Sequence, residues 1–290
     1  MGSLMPLPFT LRGVGRFATA PWSLLLLTEL VAALGLAAVF AWFVNASWFS
    51  QVTVAIRNLP GRGALERGAL VWQGDSPVQL AGNNFIAFAI DLDHEADLGH
   101  EADLCIELGA DNMRVCSLLG YVQFEYPKSW RVKLERAQLE PWWNAWAPAI
   151  LACAAVGLVM VLFALWTAFA LLYAPVAALV AFLANRRLDA RGAFKLASAA
   201  QIPGAIMTAL GGVLYGLGWF DLVKFGGCVA AQFILTWFFV LGAPFTLNRL
   251  DSPETFRGNP FARTGPTQAA SEPADVKPED EPRSKDAAHP

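Results

Sequence analysis

Pro141–Asn185 reads PWWNAWAPAILACAAVGLVMVLFALWTAFALLYAPVAALVAFLAN, 45 residues without one charged side chain. A helix needs about 20 apolar residues to cross a hydrocarbon core roughly 30 Å thick. From Trp146 to Ala184 this stretch would form a helix on the order of 58 Å long, too long for one simple crossing and tight for two. A hairpin of two crossings needs a turn near Leu165-Trp166-Thr167, where there is no Gly, Pro or Asn. It would also leave Arg186, Arg187, Arg191 and Lys195 outside, against the bias of basic loops toward the cytoplasm. One crossing from about Trp146 to Leu172, kinked at Pro175 where the ring removes an N–H, meets both objections. Residues 145–184 are therefore read as one long kinked transmembrane helix, and 185–196 as a cytoplasmic basic loop.

The composition agrees with this. The chain is 56% hydrophobic and 16% charged, with a mean hydropathy of +0.43. Soluble domains carry about 25% charge. The net charge of −3, with no basic stripe, argues against nucleic acid as a partner. Upstream, residues 1–20 hold Arg12 and Arg16 and no acid, which puts them in the cytoplasm. Residues 21–44 follow as an apolar run, too long for the core of a cleaved signal peptide and long enough to span, so an uncleaved signal anchor is expected. Downstream, 197–220 and 225–248 read as two more spans, with only Asp221 and Lys224 as charges between them. The Pro-rich residues 251–290 bury too little to offset their ordering entropy and read as a disordered cytoplasmic tail.

Between the first two spans, residues 45–144 form the one sizeable polar segment. Short apolar runs separated by turn clusters point to strands at Ala69–Trp72, Val78–Ala81, Phe85–Leu92, Asp103–Leu108, Met113–Leu119 and Tyr121–Tyr126. Gly109-Ala110-Asp111-Asn112 reads as a hairpin turn, and Ser129–Glu140 as a helix returning to the membrane. The fold class expected is a membrane α-helical protein with four transmembrane helices. Inserted in it is a small, mainly antiparallel β extracytoplasmic domain, and both termini are cytoplasmic.

Several motifs lie on this frame: Leu59-Pro60, then Glu66-Arg67-Gly68-Ala69-Leu70-Val71-Trp72, Pro77, and Phe85-Ile86-Ala87-Phe88-Ala89-Ile90-Asp91. After the long span come Ala193-Phe194-Lys195-Leu196-Ala197 and Gln201-Ile202-Pro203. Over roughly residues 10–250 the chain resembles a family of bacterial polytopic membrane proteins of unknown function, distantly similar to the Yip-type membrane proteins. The resemblance implies an inner-membrane location and this topology, and supplies no activity. The duplicated acidic loop and the long tail depart from the family pattern.

That loop is the tandem His94-Glu95-Ala96-Asp97-Leu98-Gly99 and His100-Glu101-Ala102-Asp103-Leu104. Asp91, Asp93, Glu95 and Asp97 would share one face of an extended chain, and with His94 and His100 they offer a divalent cation a set of ligands. Ala96 stands where a calcium loop needs its sharp-turn glycine, so a duplicated, solvated loop is the preferred reading and no cofactor is expected. Within the spans, Glu29 is the only acid. It is read as structural, hydrogen-bonded to Gln201, Gln232 or Thr236 on a neighbouring helix, with a proton or cation relay as the competing role. Gly204, Thr208, Gly212 and Gly216 share a helix face where backbones can approach closely. Packing within one molecule, against Gly226/Ala230 or Gly227/Ala231, is expected, with self-association into a homo-oligomer as the alternative.

Pairing the hairpin about Ala110-Asp111 puts Glu107 opposite Arg114 and Cys105 opposite Cys116. A disulfide between those two cysteines is expected, whereas Cys153 and Cys228 read as inert small hydrophobes in spans. No Walker-type phosphate loop, zinc-protease helix or nucleophile elbow occurs. The expected function is a non-catalytic accessory, sensing or scaffolding role, contacting a membrane or extracytoplasmic protein partner through the exported domain. A transporter or channel component using Glu29 and Gln201 is the alternative.

Overall fold

The computed structural model describes residues 8–60, 62–94, 99 and 101–249, to which all structural statements refer. The tail 251–290 lies outside them. Four helical segments are long and apolar enough to cross a membrane: Trp22–Arg57, Arg136–Leu183, Ala190–Gly216 and Leu222–Thr246. A short helix, α1 (Leu11–Arg16), precedes them, capped by the Thr10 hydroxyl accepting from the Gly13 N–H at 3.0 Å. Val14 and Phe17 have no exposed surface. Val14, Phe17 and Ala18 join the core cluster of the bundle, so α1 packs against one end of it.

The first long segment is α2 (Trp22–Phe43), which passes through a π-helical turn, Val44–Phe49, into α3 (Ser50–Arg57). Residues 45–57 are therefore helical, and the β domain begins later than expected. The second, α4 (Arg136–Leu183), has 48 residues and is about 72 Å long at 1.5 Å per residue. It is unbroken through Pro141, Pro148 and Pro175, so the long apolar run is one helix and not a hairpin. The third segment is α5 (Ala190–Ala199) followed by α6 (Ile202–Gly216). The expected basic loop shortens accordingly. Asp189 caps α5 by accepting from the Gly192 N–H at 3.1 Å, and helix fills the rest of the range. Pro203 has no N–H to continue the ladder, and the chain breaks at Ala200–Gln201. The fourth segment, α7 (Leu222–Gly242), is capped by Asp221 and ends in a 3-10 turn, Ala243–Thr246.

Alanines contribute many of the buried positions of the bundle, beside larger side chains such as Phe17, Leu25, Trp166 and Phe239. Ala33, Ala37, Ala170, Ala177, Ala181 and Ala205 are buried, while Leu26, Val31, Leu171, Leu172, Phe182 and Leu183 point outward. Small residues at these positions let helix backbones approach closely. Leu25, Glu29, Ala33 and Ala37 recur every four residues as the buried stripe of α2.

Eight strands follow α3: β1 (Gly63–Glu66), β2 (Ala69–Trp72), β3 (Val78–Gly82), β4 (Ile86–Ile90), β5 (Leu104–Leu108), β6 (Asn112–Ser117), β7 (Gly120–Glu125) and β8 (Arg131–Lys133). They form a sheet of order β2-β1-β8 and a second of order β3-β4-β5-β6-β7. Arg67 and Gly68, both at positive φ (54° and 88°), make the tight β1–β2 turn. All pairs are antiparallel except β4 with β5, which start side by side at Ile86 and Leu104. The stretch expected as a returning helix supplies β8 first, and α4 starts at Arg136.

Side chains tie the sheets to one end of the bundle. Asn58 donates to the Leu80 carbonyl at 2.6 Å, and Asn83 to the Ser47 carbonyl at 2.8 Å. These two contacts lay β3 along the helix that continues α2. Trp143 in α4 donates to Thr53 at 3.1 Å, and Tyr215, near the end of α6, donates to Asp103 at 2.6 Å.

Candidate functional site

The polar groups inside the bundle gather where α5 breaks into α6. Glu29 is 5% exposed, and its Oε1 accepts a short hydrogen bond from the Ser198 hydroxyl. Gln201 Nε2 donates to the Trp166 carbonyl of α4 at 2.8 Å. Thr208 donates to Gln232 Oε1 at 2.6 Å, and Thr236 to the carbonyl of Gln232 in its own helix at 2.9 Å. Glu29 is thus tied to a neighbouring helix as expected, but its partner is Ser198 and not Gln201, Gln232 or Thr236. The missed signal was Ser198 itself, a lone hydroxyl in the small-residue run Ala197–Ala200.

Beside these groups, α2, α4, α6 and α7 enclose a cavity of about 410 Å³ toward the sheet side of the bundle. Leu36, Phe40, Trp166 and Phe225 line it, with Thr208 and Gln232 as its polar patch. No carboxylate, imidazole or amine lines it, and Glu29 is not among the lining residues. The lining is mainly apolar and suits an apolar guest, with Tyr215 as its one ionisable side chain among the described residues.

The glycine stripe packs within the molecule. A Cβ on Gly204 would lie 2.7 Å from Gln232 Cγ, and one on Gly212 3.2 Å from Val39. At Gly216 it would meet Trp42 at 2.6 Å. One end of the stripe therefore faces α7 and the other α2. The expected counter-face is not used: Gly226 and Gly227 have nothing within 4 Å, and Phe225, Cys228 and Gln232 fill the position instead.

Of the loop read as a cation site, Glu95, Asp97 and His100 lie outside the described residues. Asp91 is buried at 3% exposure. His94 adopts a left-handed backbone (φ 57°) and turns inward. Its Nδ1 meets Glu107 Oε1 closely, and its Nε2 lies 2.7 Å from Asn112 Oδ1. Both ring nitrogens are engaged by Glu107 and Asn112, so a metal at His94 would have to displace one of these contacts. Among the described residues no group of three or more His, Cys, Asp or Glu side chains has metal-binding geometry.

The hairpin register is the one expected: Cys105 faces Cys116 and Glu107 faces Arg114. The disulfide is not formed. Gly109 N–H donates to the Asn112 carbonyl at 2.8 Å, which marks that pair as hydrogen-bonded. Alternation makes Cys105/Cys116 the same type, with Cα atoms about 5.5 Å apart, a spacing that a disulfide can bridge, so the rung by itself does not exclude the bond. Cys105 instead packs beside Gly99, where an added Cβ would lie 2.9 Å from its Sγ. Burial, then the charges of Cys116 and Glu107, push the Cys105 thiol up to about 11. The Cys116 thiol is raised too, chiefly by burial.

One feature escaped the strand pattern. Every residue of β7 is exposed, including Tyr121 at 64%, Val122 at 58% and Phe124 at 51%. Residues of β6 that bond β5 are 112, 114 and 116, so 113, 115 and 117 bond β7. On β7 the backbone groups of Tyr121, Gln123 and Glu125 then face away from the sheet, leaving an open edge. Alternation in YVQFEY signals a strand but cannot say that nothing lies beyond it.

Comparisons with protein-family models, curated proteins and solved structures return no match.

Proposed function

We propose that this chain is a non-catalytic, multi-pass protein of a bacterial inner membrane that acts as an accessory, sensing or scaffolding subunit. In this reading both termini are cytoplasmic, the sheets are extracytoplasmic, and an extended segment of a protein partner pairs with β7. The outward-facing large apolar side chains of the bundle and the basic segment around Arg186–Lys195 support the placement. The resemblance to Yip-like polytopic membrane proteins agrees with it.

The observation that carries the reading is the open edge of β7. Natural sheets cover, charge or bulge such edges, and strand addition is a common way for an exposed edge to take a partner. Gln123→Pro tests it. The Gln123 N–H faces outward, so proline there keeps the β6 ladder and removes one edge donor. A stoichiometric partner recovered from native membranes should be lost with Gln123→Pro and retained with Gln123→Ala. Equal recovery with both variants would remove the strand-pairing role.

The cavity beside the α5–α6 break favours a second reading as a transporter or channel component, since such proteins break helices near substrate sites. Against it, Glu29 and Gln201 are both engaged inside the bundle and neither lines the cavity. Solute flux in proteoliposomes that disappears with Glu29→Gln would favour transport over the accessory role.

A further inference from the structure

The β6–β7 turn consists of Leu118 and Leu119, exposed at 68% and 98%, followed by Gly120 at φ 113°. Neither leucine has a positive φ, which falls on Gly120 alone, so the backbone at 118 and 119 is open to any residue and the choice of leucine is left to the surroundings. Their position in the fold explains the choice.

Three strand ends share one level. Phe85, entering β4, packs edge-on against Phe43, the last residue of α2, at 5.2 Å, and against Tyr215 at 5.0 Å. Asp103, entering β5, accepts from Tyr215. Leu104, the next residue, pairs with Ser117 at the end of β6. The turn after Ser117 therefore points back toward the helices, at the level where α2 and α6 end. Trp42, Trp146 and Trp219 are exposed at this end of the bundle, at 42%, 54% and 72%. Exposed indoles of this kind settle at the boundary between hydrocarbon and water.

We infer that Leu118 and Leu119 insert into the outer-leaflet interface of the bilayer and pin the free side of the five-stranded sheet to the lipid surface. The other side of that sheet is already held, since β3 lies against α3 and Asn83 is tied to Ser47. Among the described residues no helix makes an extensive contact with β6 or β7. Lipid is the occupant that the level of the turn selects, because a protein partner pairing on β7 would meet the strand edge and not its tip. The inference rests on the membrane placement proposed above.

The test uses the full chain in proteoliposomes, with a polarity-sensitive fluorescent amino acid at Leu119, at Met160 on the outer face of α4, or at Gln123. Emission at positions 119 and 160 should be blue-shifted and quenched by brominated phospholipid, with neither change at position 123. Quenching at 160 without quenching at 119 overturns the insertion and leaves the membrane placement intact. Loss of quenching at both positions overturns the placement itself. A blue shift at 119 that brominated lipid does not quench would mean that protein covers the turn, and it also overturns the inference.

Discussion

Glu29 is an acid in the middle of an apolar helix, and its role is decided by what it touches. A carboxylate that accepts from Ser198 is replaceable by an amide that also accepts, so Glu29→Gln should fold normally. Glu29→Leu leaves the Ser198 hydroxyl without its acceptor and should cost about 0.6–2 kcal/mol, the worth of an intramembrane hydrogen bond. Thermal unfolding of the purified protein in detergent separates the two. His94 is the corresponding residue of the sheet. Glu107 is 4% exposed, and removing the imidazole takes away a close partner of a buried carboxylate. His94→Ala should destabilise the protein by about 3 kcal/mol, and adding Glu107→Gln should recover part of the loss in the same assay. Cys105 has a folded-state pKa raised from 9.0 to about 11. Its neutral thiol therefore contributes stability that is complete below pH 9 and lost as pH rises toward 11. Cys105→Ala should flatten the alkaline fall in stability over that window.

At the scale of the element, α6 shows why a small-residue stripe is ambiguous in one dimension. Gly204, Thr208, Gly212 and Gly216 share a face by their spacing, but the face is divided between two neighbours. Gly204→Val would press on Gln232, whose backbone oxygen would lie 3.2 Å from the new Cβ, and should cost about 1–3 kcal/mol as an overpacked contact. Gly227→Val meets nothing within 4 Å and should leave the melting temperature unchanged. If Gly227→Val instead shifted a dimer to monomer on size exclusion, that open face of α7 would be a subunit contact.

For the whole molecule, the single long helix α4 sets the threading. It runs from the sheet side of the bundle to the opposite end as one helix, so in the proposed membrane placement Asp75 and Asp189 fall on opposite sides. A cysteine at Asp189 should react with an impermeant maleimide only from the cytoplasmic face, and one at Asp75 only from outside. Labelling of position 189 from outside would reverse the orientation, and with it the compartment proposed for the sheets.

What the linear order determined was the set of apolar runs, the one-helix reading of Pro141–Asn185 and the pairing of Cys105 with Cys116. Each follows from local rules: a crossing length, a missing turn residue, a two-residue period about a hairpin. The partner of Glu29, the engagement of His94, the thiols that face without bonding and the open edge of β7 were decided only by the tertiary structure. Those outcomes depend on which hydroxyl or strand another element brings alongside, and on where each side chain turns once it is there. Hydropathy and spacing carry no record of either.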